Sequence, residues 1–129
     1  MPKTYYADNL TLSLWLRATT VPPPAQVYCA LFLTAPVNPG AAPVEVVGNG
    51  YTRQAVTFSV PASGQSSNTA DVIFPIAITA DWGTIVAFGV YDAAVAGNLL
   101  YYANLSTPRL IAVNDQLRFP TGQLVAFET

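Results

Sequence analysis

Four aspartates, Asp71, Asp81, Asp92 and Asp115, are the residues of this chain best suited by type to do chemistry. Two carboxylates that face each other across a groove can act as general acid and general base, as in glycoside hydrolysis. All four, however, fall at predicted strand ends or turns, where aspartate caps backbone amides for structural reasons. We therefore predict that these aspartates hold turns together and that none of them is catalytic.

Other catalytic and metal-binding groups are sparse. The chain has no histidine, which is the commonest general base. Its single cysteine, Cys29, lies in an apolar run that is typical of a buried hydrophobic residue. Loop carboxylates can bind calcium, but no D-x-D-x-D-G spacing supports such a site. The sequence therefore predicts a protein that is not an enzyme and uses no metal or cofactor.

A group of aromatic residues has two interpretations. They could line a sugar-binding groove, with its polar contacts supplied by the predicted turn at residues 92–98. They could equally fill the core and pair across strands, where aromatic side chains stabilise sheets. The second interpretation is the one we favour. The residues concerned are Trp82, Phe88, Tyr91, Tyr101 and Tyr102.

Charged residues make up only 9% of the chain and hydrophobic residues 52%, whereas ordinary soluble domains carry about 25% charged residues. This composition indicates that part of the apolar surface is hidden against neighbouring subunits, since exposed apolar patches invite aggregation. Binding to nucleic acid or to an anionic membrane needs clustered cations. The five cations of this chain are scattered, so we predict neither partner.

Short apolar segments, each closed by Gly, Pro, Asn or Asp, recur at spacings of roughly 8–12 residues, as in sandwiches and jelly rolls. Strands are predicted at residues 26–33, 51–60, 71–74, 84–91, 99–105, 116–119 and 123–127. Asn49-Gly50 marks a tight turn, residues 34–43 a loop and residues 63–69 a polar turn. Gly89 suggests a bulge or a close backbone approach, and Pro108 is expected to end the stretch after residues 99–105. The predicted fold is a mainly β, antiparallel β-sandwich or jelly roll.

The N-terminal region is set apart as residues 1–25, comprising a first segment and a proline-rich connector, with residues 26–129 as a single β-sandwich domain. Leu10, Leu12, Leu14 and Leu16 alternate as they would in a strand. Asp8 could instead cap a helix that places Leu10 and Leu14 on one face. The three prolines at residues 22–24 are typical of an extended connector.

The order of these features resembles that of a family of small virion structural proteins from tailed bacteriophages. The resemblance covers nearly the whole chain and depends on the combined order and spacing of its motifs. It favours a short helix over residues 9–17, and it implies a virion component without enzymatic activity. The matching residues are Trp15, Pro22, Leu31, Phe32, Gly50, Tyr51, Arg53, Phe58, Phe74, Pro75, Trp82, Gly83, Asp92, Gly97, Asn98, Leu99, Leu100, Pro108, Arg109, Asp115, Phe119, Pro120 and Gly122.

Within this class we expect a capsid decoration, or cement, subunit that binds and stabilises the outer capsid surface. It would act as a homotrimer, because closed symmetry is the usual way for identical subunits to bury apolar surface. Its other partners would be the major capsid protein or other virion proteins. A tail-fibre or tail-appendage subunit is the alternative, and a carbohydrate-binding module is a second alternative from another class.

Six residues are the candidates for partner contacts. Tyr5, Tyr6 and Trp15 are expected to dock a helix or an arm against the sandwich or against a neighbour. The other three, Arg53, Arg109 and Arg118, are expected to pair with carboxylates of the partner. If residues 1–20 form an arm, their deletion should weaken attachment to the particle more than it weakens the fold.

Overall fold

A computed structural model describes residues 1–37 and 42–128 of the chain. It shows a mainly antiparallel β protein with one short N-terminal helix, which confirms the predicted fold class. The elements, in chain order, are α1 (Tyr5–Arg17), β1 (Val27–Thr34), β2 (Val44–Glu45), β3 (Gln54–Val56), β4 (Gln65–Ser67), β5 (Val72–Ile73), β6 (Gly83–Tyr91), β7 (Leu99–Ile111), β8 (Arg118–Phe119) and β9 (Val125–Phe127).

The main sheet has five strands, with β1 and β6 at its centre. Its order is β2-β1-β6-β7, and β3 pairs with the same edge of β1 as β2 does. Leu31 of β1 lies opposite Phe88 of β6, and Phe32 lies opposite Ala87. Both strands are apolar on both faces, which is the pattern expected of strands that are covered on both sides.

Two small antiparallel pairs, β4-β9 and β5-β8, complete the fold. The main core lies between the main sheet and these pairs, and Phe88 contacts Phe119 of β8 with ring centroids 5.0 Å apart. Tyr51 stacks on Phe74 and meets Trp82 edge-on. The open sheets on either side of one core are consistent with the predicted β-sandwich.

Several local predictions are confirmed. Cys29 is completely buried, and this burial raises the pKa of its thiol. Asn49 and Gly50 both have positive φ inside a turn closed by a hydrogen bond from the Tyr51 amide to the Gly48 carbonyl. At Gly89 an added Cβ would lie 2.8 Å from the carbonyl oxygen of Tyr101, so the neighbouring backbone is too close for a side chain.

The strand predictions need three corrections. The last long strand does not stop before Pro108 but continues to Ile111, because a register shift against β6 between Ile85 and Ala87 accommodates the proline. The polar stretch at residues 63–69 is not only a turn, since β4 forms within it and pairs with β9. The strand predicted over residues 51–60 is limited to β3.

The regular alternation of faces along a strand is interrupted in β6. Ile85 belongs to the main core together with Phe88 and Val90, whereas Val86 and Ala87 pack in a second cluster on the opposite face. The break coincides with the register shift against β7. The predicted loop at residues 34–43 includes residues 38–41, which lie outside the described part of the chain.

The helix begins four residues earlier than predicted, and Thr4 rather than Asp8 is its N-cap. The Thr4 hydroxyl accepts a hydrogen bond from the Ala7 amide and donates one of 2.6 Å to the Leu99 carbonyl. Asp8 lies in the first turn, where its negative charge interacts favourably with the positive end of the helix dipole. The helix ends at Arg17, and Ala18 adopts the left-handed conformation of a C-cap.

Candidate interaction surface

The chain before α1 is a structural part of the fold. The Met1 ammonium group donates a hydrogen bond of 2.6 Å to the Val125 carbonyl, and the Phe127 amide donates to the Met1 carbonyl. The Thr4 amide donates to Leu100, so residues 1–4 join the edge of β7 to β9. Met1 is buried in the main core, and burial lowers the pKa of its amino group. Only the chain from Tyr5 onward is therefore positioned to act as an external element.

A charged cluster fixes α1 against the body of the protein. The Lys3 ammonium lies 2.6 Å from Glu128, 3.5 Å from Asp8 and 3.0 Å from the Thr11 hydroxyl, and its side chain is only 9% exposed. The Tyr101 hydroxyl donates to the other oxygen of Glu128. Burial and the nearby Glu128 charge raise the pKa of Tyr101 to about 12. These contacts tie the first half of α1 to β7 and to the C-terminal region.

The outward side of α1 carries large apolar residues that the body of the protein leaves uncovered. Ala7 is the one residue of the helix that is buried. Trp15 is 77% exposed, Leu16 76%, Leu12 53% and Tyr5 52%. At 100° per residue these four positions fall within an arc of about 100°; Tyr5, Leu12 and Leu16 lie opposite the buried Ala7, and Trp15 lies at the edge of the arc. We call this set, Tyr5, Leu12, Trp15 and Leu16, the outer stripe of α1.

Of the residues predicted to contact partners, Tyr5, Tyr6 and Trp15 all lie on α1 and are exposed. Leu12 and Leu16, which are also exposed, were not among the residues predicted to contact partners. Both belong to the run of alternating leucines near the N-terminus. That run was compatible with a strand or a helix, so the face on which each leucine lies was not defined until the bounds of α1 were known. The helix brings Trp15 together with both leucines.

Arg53 has an internal role. Its guanidinium forms a two-point ion pair with Glu45, with both N–O distances 2.8 Å, and donates to the carbonyls of Ala93 and Ala96. The same group lies 3.7 Å from the centre of the Tyr91 ring. Arg53 thus connects β2 and β3 to the turn after β6, and its side chain is 8% exposed.

Tyr51 completes this internal network. Its hydroxyl donates to Glu45 at 2.6 Å and accepts from the Leu31 amide. Burial, followed by the hydrogen bond to Glu45, raises the pKa of Tyr51. The network of Glu45, Tyr51 and Arg53 therefore holds the edge of β1 in place.

Arg109 and Arg118 lie elsewhere on the molecule. Arg109 is paired with Ile85 at one end of the β6–β7 ladder, and α1 is anchored at the other end, near Tyr91 and Leu99. Six residues of strand separate the two ends, which corresponds to about 20 Å. Arg118 is exposed and lies 3.5 Å from Asp71. The structure therefore does not bring the six predicted residues together in one site.

The four aspartates hold turns, as predicted. Each accepts a hydrogen bond from a distant or turn backbone amide, at 2.7–3.0 Å: Asp71 from Thr121, Asp81 from Val113, Asp92 from Asn98 and Asp115 from Ala112. The bonds to Thr121, followed by the charge of Arg118, lower the pKa of Asp71. The carboxylates are thus used in local structure.

A cleft of about 560 Å³ separates the inner side of α1 from the body. Its walls are formed by Tyr6 and Leu10 of the helix, the prolines at residues 22–24 and the turn at residues 92–98. This is the turn considered for sugar binding. Both carboxylate oxygens of Asp92 accept hydrogen bonds from Asn98, so its polar groups close the turn.

Within residues 1–37 and 42–128, no helix is long and apolar enough to cross a membrane. The carboxylates of this small antiparallel β fold hold its turns, and its helix exposes apolar side chains to solvent. These are the features of a structural subunit that assembles with other proteins. A sequence model for one family of such proteins, described as Podophage GP4 fiber I protein gp80, matches residues 2–126. The chain belongs to this family of small phage virion structural proteins. It matches no curated protein.

Proposed function

We propose that the chain is a non-enzymatic subunit of a tail fibre or tail appendage, and that α1 carries the surface through which it assembles. The observation that carries the proposal is the outer stripe, in which Trp15 and Leu16 are each about three-quarters exposed on a firmly anchored helix. Exposed residues of this kind are typical of protein-binding surfaces. The family is described as one of fiber proteins, which favours the tail over the capsid.

Capsid decoration, the expectation from sequence, would use the same surface and is the competing assignment. The difference lies in stoichiometry and position, because a cement subunit follows the capsid lattice and a fibre subunit follows the symmetry of the tail. The compact fold suits a joint or cap of an appendage, since a shaft would need an elongated or repetitive element. A homotrimer bound to other tail proteins is the assembly that we propose for it.

The charge distribution supports protein partners over nucleic acid. Three of the five cations, Lys3, Arg53 and Arg118, already pair with carboxylates of the same chain. Phosphate binding depends on cations that are available in a cluster. The remaining Arg17 and Arg109 lie on different elements, so they do not form one.

The proposal is tested by counting this protein in purified virions. Quantitative mass spectrometry with the major capsid protein as the internal standard should give a small multiple of three or six copies per particle. An antibody against the protein, visualised by electron microscopy, should label the tail. Hundreds of copies with label over the whole capsid would contradict the tail assignment and favour decoration.

A further inference from the structure

We propose that the outer stripe of α1 is a contact between copies of this chain, with α1 of one copy packed against α1 of another. The inference rests on the proposed function in treating this surface as one made for assembly, and it adds the identity of the partner. The spacing, the area and the anchoring of the stripe each support a second copy as the occupant.

The spacing is that of a helix–helix contact. Tyr5 and Leu12 are seven residues apart, Leu12 and Leu16 four, and Leu12 and Trp15 three. Apolar residues at these intervals form the seam along which helices pack against each other. A helix with such a seam is complementary to another helix of the same kind, and a second copy of the chain supplies one.

The area is of the size that association requires. The four side chains of the stripe expose on the order of 500 Å² of largely apolar surface, given the 150–250 Å² of a whole aromatic side chain. A standard interface takes about 800 Å² from each partner. The helix alone therefore supplies most of what a stable pair needs.

The stripe is also held ready for binding. Thr4 caps the helix and bonds to β7, and Lys3 ties its first turns to Glu128. A pre-ordered element loses little conformational entropy when it associates. Asp8, the charged residue beside the stripe, is paired with Lys3, so its charge is partly balanced when two helices approach.

Sedimentation velocity of the purified full chain tests the proposal. The wild type should be an oligomer at micromolar concentration. A variant with Leu12→Gln, Trp15→Gln and Leu16→Gln keeps good helix formers on α1 and should associate at least about 100-fold more weakly, because aromatic and apolar anchors dominate interfaces. The matched control, Val60→Gln with Val95→Gln, removes exposed apolar residues that lie outside α1 and should leave the oligomer unchanged.

A wild type that remains a monomer up to about 100 μM, well above the micromolar range of a working contact, would overturn the proposal. A triple variant that stays oligomeric would do the same. Circular dichroism and thermal unfolding show whether the triple variant is folded. A second measurement on the wild type avoids any variant: iodide should quench the fluorescence of exposed Trp15 in dilute protein and fail to do so in the oligomer, while Trp82 is buried throughout.

This outcome can be separated from that of the proposed function. An oligomer that depends on the stripe, in a protein found on the capsid, would retain the self-contact and reject the tail assignment. A monomeric protein present at low copy number on the tail would retain the assignment and reject the self-contact.

Discussion

Replacing Arg53 by methionine removes a guanidinium that joins three parts of the fold while keeping a side chain of similar length. Glu45 loses both of its 2.8 Å bonds, and the carbonyls of Ala93 and Ala96 lose their donor. The contact with the Tyr91 ring is lost as well. The remaining carboxylate of Glu45 then lies in a partly buried position, where among the described residues the Tyr51 hydroxyl still donates to it.

Removing one partner of a buried, hydrogen-bonded ion pair costs about 3–5 kcal/mol, because the other charge stays buried without compensation. The Glu45 side chain retains 22% exposure and the bond from Tyr51, which places the expected loss near the lower end, at about 3 kcal/mol. For a domain of this length the melting temperature should fall by roughly 12 °C.

The assay is urea unfolding together with thermal unfolding, followed by circular dichroism. Arg118→Met is the matched control, because Arg118 forms a 3.5 Å pair with Asp71 that is largely exposed. Such surface pairs contribute less than about 1 kcal/mol. The double variant Glu45→Gln with Arg53→Met should recover part of the loss, since it removes the stranded charge. A loss for Arg53→Met no larger than that for Arg118→Met would refute the reasoning.

Three further predictions concern stability. Gly89→Ala should lower the free energy of unfolding, measured in urea, by about 2 kcal/mol through overpacking. The control is Gly122→Ala, which should lower it by only about 1 kcal/mol, because φ is positive there but an added Cβ meets nothing within 4 Å. Between pH 10 and 12 the free energy of unfolding should decline, because the raised pKa keeps the Tyr101 hydroxyl protonated in the folded state while the same group loses its proton in the unfolded state. In the Tyr101→Phe variant the melting temperature should fall less steeply over that range. Deletion of residues 1–4 should lower the melting temperature by at least about 5 °C, since it removes hydrogen bonds to β7 and β9. An unchanged melting temperature would instead support the hypothesis that the N-terminal segment is an arm outside the fold.

Patterns of local chemistry predicted a large part of the fold. The two central strands were found within one residue of their bounds, because each is an apolar run ended by residues that favour turns. The Asn49-Gly50 turn and the turn-holding roles of Asp92 and Asp115 follow from backbone preferences that act over a few residues. Asp71 and Asp81 also bond to backbone amides, but their partners Thr121 and Val113 are remote in sequence.

Errors arose where distant parts of the chain decide the outcome. Pro108 does end regular pairing, but a register shift against β6 lets β7 continue past it, and that shift depends on the partner strand. The helix begins at Tyr5 because Thr4 is held by the Leu99 carbonyl, which is distant in sequence. β4 forms from a polar stretch because β9 offers it a partner.

The short strands, the tight turns and the low content of charged residues, 9% with no histidine, can be recognised from the sequence alone. These properties depend on residue types and on spacings of a few positions, so they can be read without the fold. What each candidate residue does depends on the tertiary structure. It placed Arg53 in an internal ion pair and left Trp15 uncovered, because burial and pairing are set by neighbours that are remote in sequence.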